Sequence, residues 1–599
     1  MKYLEGNNVK ITDGFWKNKY NLNRNTAMDA VYNRFSDTGR IGAFNFDWKE
    51  GMPNKPHVYW DSDVAKWMEA AAYLIADEYD AALEAKVEAL IDRIEKFQQP
   101  DGYFNIHFTV CEPEKRFKDR NLHELYCAGH LMEAAVAYYN ATGKDRFLKC
   151  MEKYADYIYQ VFVVEQSAEF VTPGHEEIEI ALMKMYHTTQ NEKYLELAEF
   201  FVESRGNNDK DPVIGTNKWI QCHLPARQQK TAEGHSVRAG YWYKAMADIA
   251  YEKNDKELAD ACREIFNDII NRKMYITGGT GSTYLGEAFT VKYDLPNETA
   301  YVETCASIAI MFFCKSMMKI ENKTVYADII EKEMYNAMLS GLSLDGKAFF
   351  YENPLEINLR SHSRNLSLLR SERLPITQRK EVFDCSCCPP NINRVLATIN
   401  EYIYAVDGDV LYVNQFMSSE ARFEDIKVIQ ATQYPVDGKI EMTFENAKSV
   451  MIRIPSWCNE YTVDCEYSVE DNYIKLINPS SVKIEFVMKP MLMMSKTDVQ
   501  NNIGKVAVQY GPVVYCGESV DNIENLHSLY INRNHDAKVN YNEKYGMNEI
   551  SVKGFISKSS ESLYCEFEED LEETEIKLIP YSCFANRGES NMLVWFKIK

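Results

Sequence analysis

No stretch of this 599-residue chain is apolar for long. The longest such run, Cys305 to Cys314, is interrupted by Ser307 and falls far short of the ~20 residues that cross a bilayer. Basic residues are also in deficit, with 67 Lys and Arg against 89 Asp and Glu and a formal charge of −22. A nucleic acid or an anionic membrane needs a compensating basic surface, so both are excluded as partners and a neutral substrate fits better. The opening residues, Met1-Lys2-Tyr3-Leu4-Glu5-Gly6, carry no apolar run behind the lysine, so no secretory leader is expected. Fifteen cysteines without an export signal read as reduced thiols and metal ligands rather than disulfides, and the expected compartment is the cytoplasm.

What the chain does have is a crowd of thiols: Cys385-Ser386-Cys387-Cys388-Pro389-Pro390. Neighbouring side chains point in different directions, so Cys387 and Cys388 cannot both enter an apolar core by ordinary periodicity. The two prolines stop the backbone from continuing as a helix interior or a central strand. A shared metal ion is the simplest reason for such thiols to converge; buried free thiols are the plainer alternative.

Length and a 46% apolar composition predict several well-packed domains. From about residue 16 to 404 the pattern is helical and comes in pairs: 63–79 with 81–99, 123–142 with 144–161, 174–189 with 192–204, 234–252 with 255–272, and 301–320 with 324–342. With an N-terminal helix near 16–35 and a last helix from Pro390, six hairpins can close into a toroid; an open solenoid is the alternative. After about Asp407, short β-forming runs such as Lys439-Ile440-Glu441-Met442-Thr443-Phe444 alternate between turns. The expected fold class is multidomain α and β, an (α/α)6 toroid followed by one or two antiparallel β-sandwiches. The expected domains are a catalytic barrel at 10–405 and sandwiches at 406–505 and 506–599.

Glu303-Thr304-Cys305 opens one of the helices, and both side chains can lean over its free N-terminal end. Glu303, Cys305, Cys387 and Cys388 together supply the ligand types that Zn2+ accepts in tetrahedral geometry. Gly129-His130, Gly174-His175 and Gly234-His235 recur in successive pairs, which predicts that His130, His175 and His235 meet in one cleft suited to a polyhydroxylated ligand. His130 stands one heptad after His123, so those two are expected to share a face. Glu287 follows a glycine-rich run, Thr277 to Ser282. That run lacks the lysine and the strand–loop–helix setting of a phosphate loop, and it reads instead as a pliable rim that carries Glu287.

The segments Asp61-Ser62-Asp63-Val64, His123-Glu124-Leu125-Tyr126, Gly174-His175-Glu176-Glu177-Ile178-Glu179, Gly234-His235-Ser236-Val237-Arg238, Tyr293-Asp294-Leu295-Pro296-Asn297, Glu303-Thr304-Cys305-Ala306-Ser307 and Cys387-Cys388-Pro389 resemble glycoside hydrolase family 127, the β-L-arabinofuranosidases. The resemblance runs along nearly the whole chain and weakens past about residue 520. It implies retaining release of L-arabinose from non-reducing ends, with Cys387 as nucleophile and Glu287 as general acid/base. It also implies a zinc ion on Glu303, Cys305, Cys387 and Cys388, and sugar contacts from His130, His175, His235 and Tyr351. Pro390 and Asn393 stand where relatives carry smaller residues, and are expected to border the sugar site. The rival readings are a glycosidase of the same mechanism acting on another furanose or an unusual pectin sugar, and a carbohydrate-binding protein with structural zinc. The expected partner is a small oligosaccharide or glycoside, and the oligomeric state is left open between monomer and homodimer.

Overall fold

In the computed structural model of the chain, all residues are described except 208–216, 363–364, 366, 368–371, 559–561 and 567–569. The helices are α1 (Gly14–Leu22), α2 (Met28–Asp37), α3 (Arg40–Ala43), α4 (Trp60–Asp77), α5 (Ala81–Phe97), α6 (His107–Val110), α7 (Glu124–Thr142), α8 (Arg146–Tyr159), α9 (Ile178–Thr189), α10 (Glu192–Ser204), α11 (Ser236–Glu252), α12 (Lys256–Asp268), α13 (Thr304–Ile320), α14 (Thr324–Tyr335), α15 (Ala337–Ser340) and α16 (Cys388–Ala397). Six of them, α4, α7, α9, α11, α13 and α16, form an inner ring in which each packs on the next and α16 returns to α4. Behind them lie α5, α8, α10, α12 and α14, with α1 and α2 against α16. The ring closes, as the six-hairpin reading expected.

Sequence explains which helix goes where. Outer helices such as α8 bury one stripe (Phe147, Leu148, Met151, Tyr154, Ala155, Ile158), whereas inner α7 is buried almost throughout from Glu124 to Tyr138. Small residues let the inner helices approach. A Cβ at Gly240 would come within 2.6 Å of the Ala309 Cβ, and one at Gly129 would overlap the Glu177 carboxylate.

Helix starts divide the same way. Outer helices α5, α10 and α12 begin with Asp80, Asn191 and Asp255, whose side chains accept from backbone N–H groups of the first turn. The cap positions of the inner ring are Tyr59, His123, Glu177, His235, Glu303 and Cys387, and only His235 among them caps with its side chain. The remaining caps are free to serve another purpose at the mouth they share.

The β-rich part holds two six-stranded sheets and one of ten strands among the described residues. Alternation is clean where one face is covered: Lys439–Glu445 and Ser481–Phe486 bury every second residue. Pairing crosses the boundaries expected at 10, 405 and 505. Lys2–Tyr3 and Val9–Ile11 add edge strands to the two six-stranded sheets, Met491–Met493 pairs with Lys505–Tyr510, and Glu356–Ile357 pairs with Met592–Leu593. Strand pairing is non-local, so period-2 patterning identifies a strand without naming its sheet. Two anchors fix these units to the ring. Arg453, fully buried, binds Asp328 and Glu331 of α14, and the Tyr581 hydroxyl donates to the carbonyls of Asn353 and Pro354. The second anchor steadies the segment that carries Tyr351. No helix among the described residues is long and apolar enough to cross a membrane.

Candidate active site

All six inner helices open at one mouth, and helix N-termini favour negative charge. Cys387 is the cap of α16 and Cys388 its first residue, so the turn into the helix, not the helix itself, lets adjacent thiols converge. Cys305 Sγ lies 3.3 Å from Cys388 Sγ and 3.6 Å from Cys387 Sγ, and the two neighbours are 3.7 Å apart. Glu303 Oε1 is 3.5 Å from Cys387 Sγ and 3.8 Å from Cys388 Sγ. The edge of a tetrahedron with ~2.3 Å metal–sulfur bonds is ~3.8 Å, so these four atoms already sit near ligand spacing. Glu303 Oε2 is buried without a hydrogen-bond partner.

The electrostatics agree. Burial, with the neighbouring Cys387 and Glu287, pushes the Glu303 carboxyl well up, and burial with Cys305 does the same to Cys388. Burial also opposes ionisation of Cys305, but hydrogen bonding with Cys387 and Cys388 brings it down to about 6. Four acidic groups in a dry pocket repel one another's charge, and a thiophilic cation would relieve all of them at once. These residues could hold a metal ion. Cys387 is the only one of the three thiols that is partly exposed.

Glu287 stands beside this group, in a tight turn where its own φ is 54° and that of Gly286 is 70°. One carboxylate oxygen meets His235 Nε2 at 2.6 Å and the other accepts from the Tyr301 hydroxyl at 2.6 Å. The Val237 N–H donates to His235 Nδ1, which leaves the ring proton on Nε2, facing Glu287. Burial raises the Glu287 carboxyl, yet these donors win and hold it at about 2. The Tyr351 hydroxyl accepts from Cys387 at 3.4 Å and donates to Cys385 at 3.9 Å.

His175 and His235 share this cleft, their ring centres 5.6 Å apart, but His130 does not join them. It is fully buried inside α7, packed edge-on behind Tyr126, with Nδ1 3.2 Å from both Glu133 and Glu177. The Gly–His pairing misled here: Gly129 is needed for the approach of Glu177, whereas Gly174 and Gly234 precede their helices. The third cleft histidine is His123, 5.8 Å from His175. It sits at the α7 cap in left-handed conformation (φ 61°), outside the helix, so the heptad argument does not reach it. A histidine just before a helix start, as at His235, was the available signal. Burial and the Arg238 charge bring His123 down to about 3 and push His175 well below its usual value. These rings are therefore neutral hydrogen-bonding groups. Asn393 also falls elsewhere, exchanging hydrogen bonds with Asn23 on the far side of α16. Its turn of helix faces outward.

Three family models match in succession: the Beta-L-arabinofuranosidase, GH127 catalytic domain at residues 8–401, the corresponding middle domain at 410–477, and the Glycoside hydrolase family 127 C-terminal domain at 490–597. A non-reducing end beta-L-arabinofuranosidase of Bifidobacterium longum subsp. longum is 32% identical, over 98% of this chain and 99% of that protein. The crystal structure of a GH127 beta-L-arabinofuranosidase from Geobacillus stearothermophilus T6 superposes with a TM-score of 0.92 at 37% identity, covering 99% of this chain and all of that one. A second structure, of a GH127 beta-arabinofuranosidase, gives 0.90 at 31% identity over 100% of this chain and 98% of its own. The chain belongs to glycoside hydrolase family 127.

Proposed function

We propose that the protein is a retaining exo-glycoside hydrolase that releases L-arabinose from non-reducing terminal β-L-arabinofuranosides. Cys387 is the nucleophile, Glu287 the general acid/base, and Glu303, Cys305, Cys387 and Cys388 hold zinc. The observation that carries this reading is the meeting, at one mouth, of a partly exposed thiol with a carboxylate gripped by two donors. Retaining hydrolysis needs a nucleophile and an acid/base on one sugar, and a thiol stands here where a second carboxylate is usual. Three sulfurs and one carboxylate favour zinc over harder cations. Bound zinc keeps the thiols ionised and draws charge from sulfur, which makes it a better leaving group.

Cys387 Sγ bonds to the anomeric carbon as the glycosidic C–O bond breaks, and Glu287 gives its proton to the departing oxygen. Water then attacks the same carbon, its proton passes to Glu287, and the C–S bond breaks to restore the thiolate. The low value of Glu287 in the open cleft suits the second step. A glycoside that fills the cleft excludes water and adds to the burial that already pushes this carboxyl upward, the direction the first step needs. His123, His175 and His235, all neutral, and Tyr351 line the sugar pocket, while His130 supports Tyr126 from behind.

The test is hydrolysis of an aryl β-L-arabinofuranoside beside other aryl furanosides, with metal content measured on the same sample. Cys387→Ser is expected to abolish turnover with the circular dichroism spectrum unchanged. Substantial residual activity would overturn the assignment of the nucleophile, and activity on another furanose alone would overturn that of the sugar.

A further inference from the structure

The turn that carries Glu287 also carries two exposed apolar residues that the chemistry above does not use. Tyr284 is 37% exposed and Leu285 68%, both within three residues of the acid/base. The turn is rigid. Glu287 N–H donates to the Tyr284 carbonyl at 3.1 Å, Trp219 Nε1 donates to the Gly286 carbonyl at 2.8 Å, and a Cβ at Gly286 would press on the Trp219 ring at 3.0 Å. The Arg373 guanidinium lies 5.3 Å over the Tyr284 ring, and its charge is met by Glu352. An ordered, electrically compensated apolar surface is thus built at the rim.

A retaining glycosidase fixes what must lie there. The acid has to reach the glycosidic oxygen, so the leaving group sits on the acid's side of the sugar, away from the nucleophile. Anything attached to that oxygen passes over the turn that presents Glu287. We infer that Tyr284 and Leu285 form the platform for the leaving group, and that this enzyme selects neutral leaving groups with an apolar face, either the C–H face of a second sugar ring or an aryl ring. Compensation of Arg373 by Glu352 argues against a carboxylated leaving group. This inference rests on the glycosidase reading above.

The experiment compares three β-L-arabinofuranosides that differ only in leaving group: methyl, p-nitrophenyl and a second arabinose. Tyr284→Ala and Leu285→Ala are measured beside Val291→Ala, a control at a residue 75% exposed on the same stretch but beyond the turn. Loss of an apolar contact of this size predicts a rise of about tenfold in KM for the arylated or the disaccharide substrate. The methyl glycoside should stay within about twofold, and the control should change nothing. A rise for p-nitrophenyl alone assigns the platform to aryl groups, and a rise for the disaccharide assigns it to a sugar. Transfer of the arabinosyl group to an added alcohol acceptor supplies an independent readout, since the acceptor enters through the same place. Equal loss on all three substrates would show that the turn only positions Glu287 and would overturn the inference, as would no change on any. Inactivity of the unaltered enzyme on all three is a different pattern, and removes the sugar reading and the inference together.

Discussion

The two mouths of the helical ring are built from the same six helices and gather different chemical groups. At the N-terminal mouth stand thiols and carboxylates: Cys305, Cys387, Cys388, Glu303 and Glu287. At the C-terminal mouth lies a cavity of about 460 Å³ where Lys184, Lys244, Lys315, Lys319 and Arg394 gather. Of these, Lys319 and Arg394 lie in the last turn of their helices, where the dipole favours a cation, whereas Lys184, Lys244 and Lys315 stand deeper in theirs. What differs is compensation. Lys184 meets Glu69 and Glu133, Lys315 meets Glu401 and Glu5, Lys244 and Lys319 meet Asp248, and Arg394 meets Glu69 and Glu133 at 2.8 and 2.7 Å. The N-terminal mouth leaves Glu303 Oε2 unpartnered beside crowded thiols. Charges that are paired describe architecture, whereas an unpartnered buried carboxylate oxygen beside three thiols describes a group that could hold a cation. The C-terminal cavity, for all its volume, is therefore the less informative of the two mouths.

Chelating the proposed zinc is the strongest way to break this contrast. Treatment with a thiophilic chelator should lower kcat/KM by about 10³-fold or more, since Lewis-acid assistance accounts for several kcal/mol. It should also lower the melting temperature, because ligand binding free energy is folding free energy. Added zinc should restore both. A chelated protein with full activity would mean that the N-terminal mouth needs no cation. At the other end the expected loss is in stability. Arg394→Met leaves Glu69 and Glu133 buried with one fewer cation, a change that costs about 3–5 kcal/mol. Urea unfolding measures it, and an unaltered midpoint would show that the network is dispensable.

How much of this could be read from the chain depends on the range of the interaction. Helical hairpins were legible because amphipathic period and turn chemistry are local, and the four metal-ligand candidates because unusual donors cluster in sequence. Edge strands 2–3 and 9–11 were not, since their partners lie some 400 residues away. Position within a helix was the other blind spot. The Gly–His dipeptides looked equivalent, yet a histidine at a cap faces the cleft while one two turns into α7 faces the core, which exchanges His130 for His123. Asn393 failed for the same reason, as a residue one turn past Pro390 turns toward Asn23. Roles that depend on two distant chemical groups, such as Tyr301 on Glu287, carry no local signature at all.

Tyr301 gives the smallest and sharpest test, because Glu287 is held by one donor on each carboxylate oxygen and Tyr301 is one of the two. Tyr301→Phe removes the hydroxyl from one carboxylate oxygen and leaves His235 on the other. A hydrogen bond to a charged group contributes about 1.5–3 kcal/mol, and this one favours the carboxylate over the protonated acid, so its removal acts through the protonation of Glu287. The direction of the pH effect follows from the same bond. The donor stabilises the carboxylate, so its loss raises the pKa of Glu287. Glycosylation requires the protonated acid, so the alkaline limb of the kcat/KM profile should move to higher pH. A limb that stays in place while the rate falls would make Tyr301 a packing residue, and Glu287 would then be held by His235 alone.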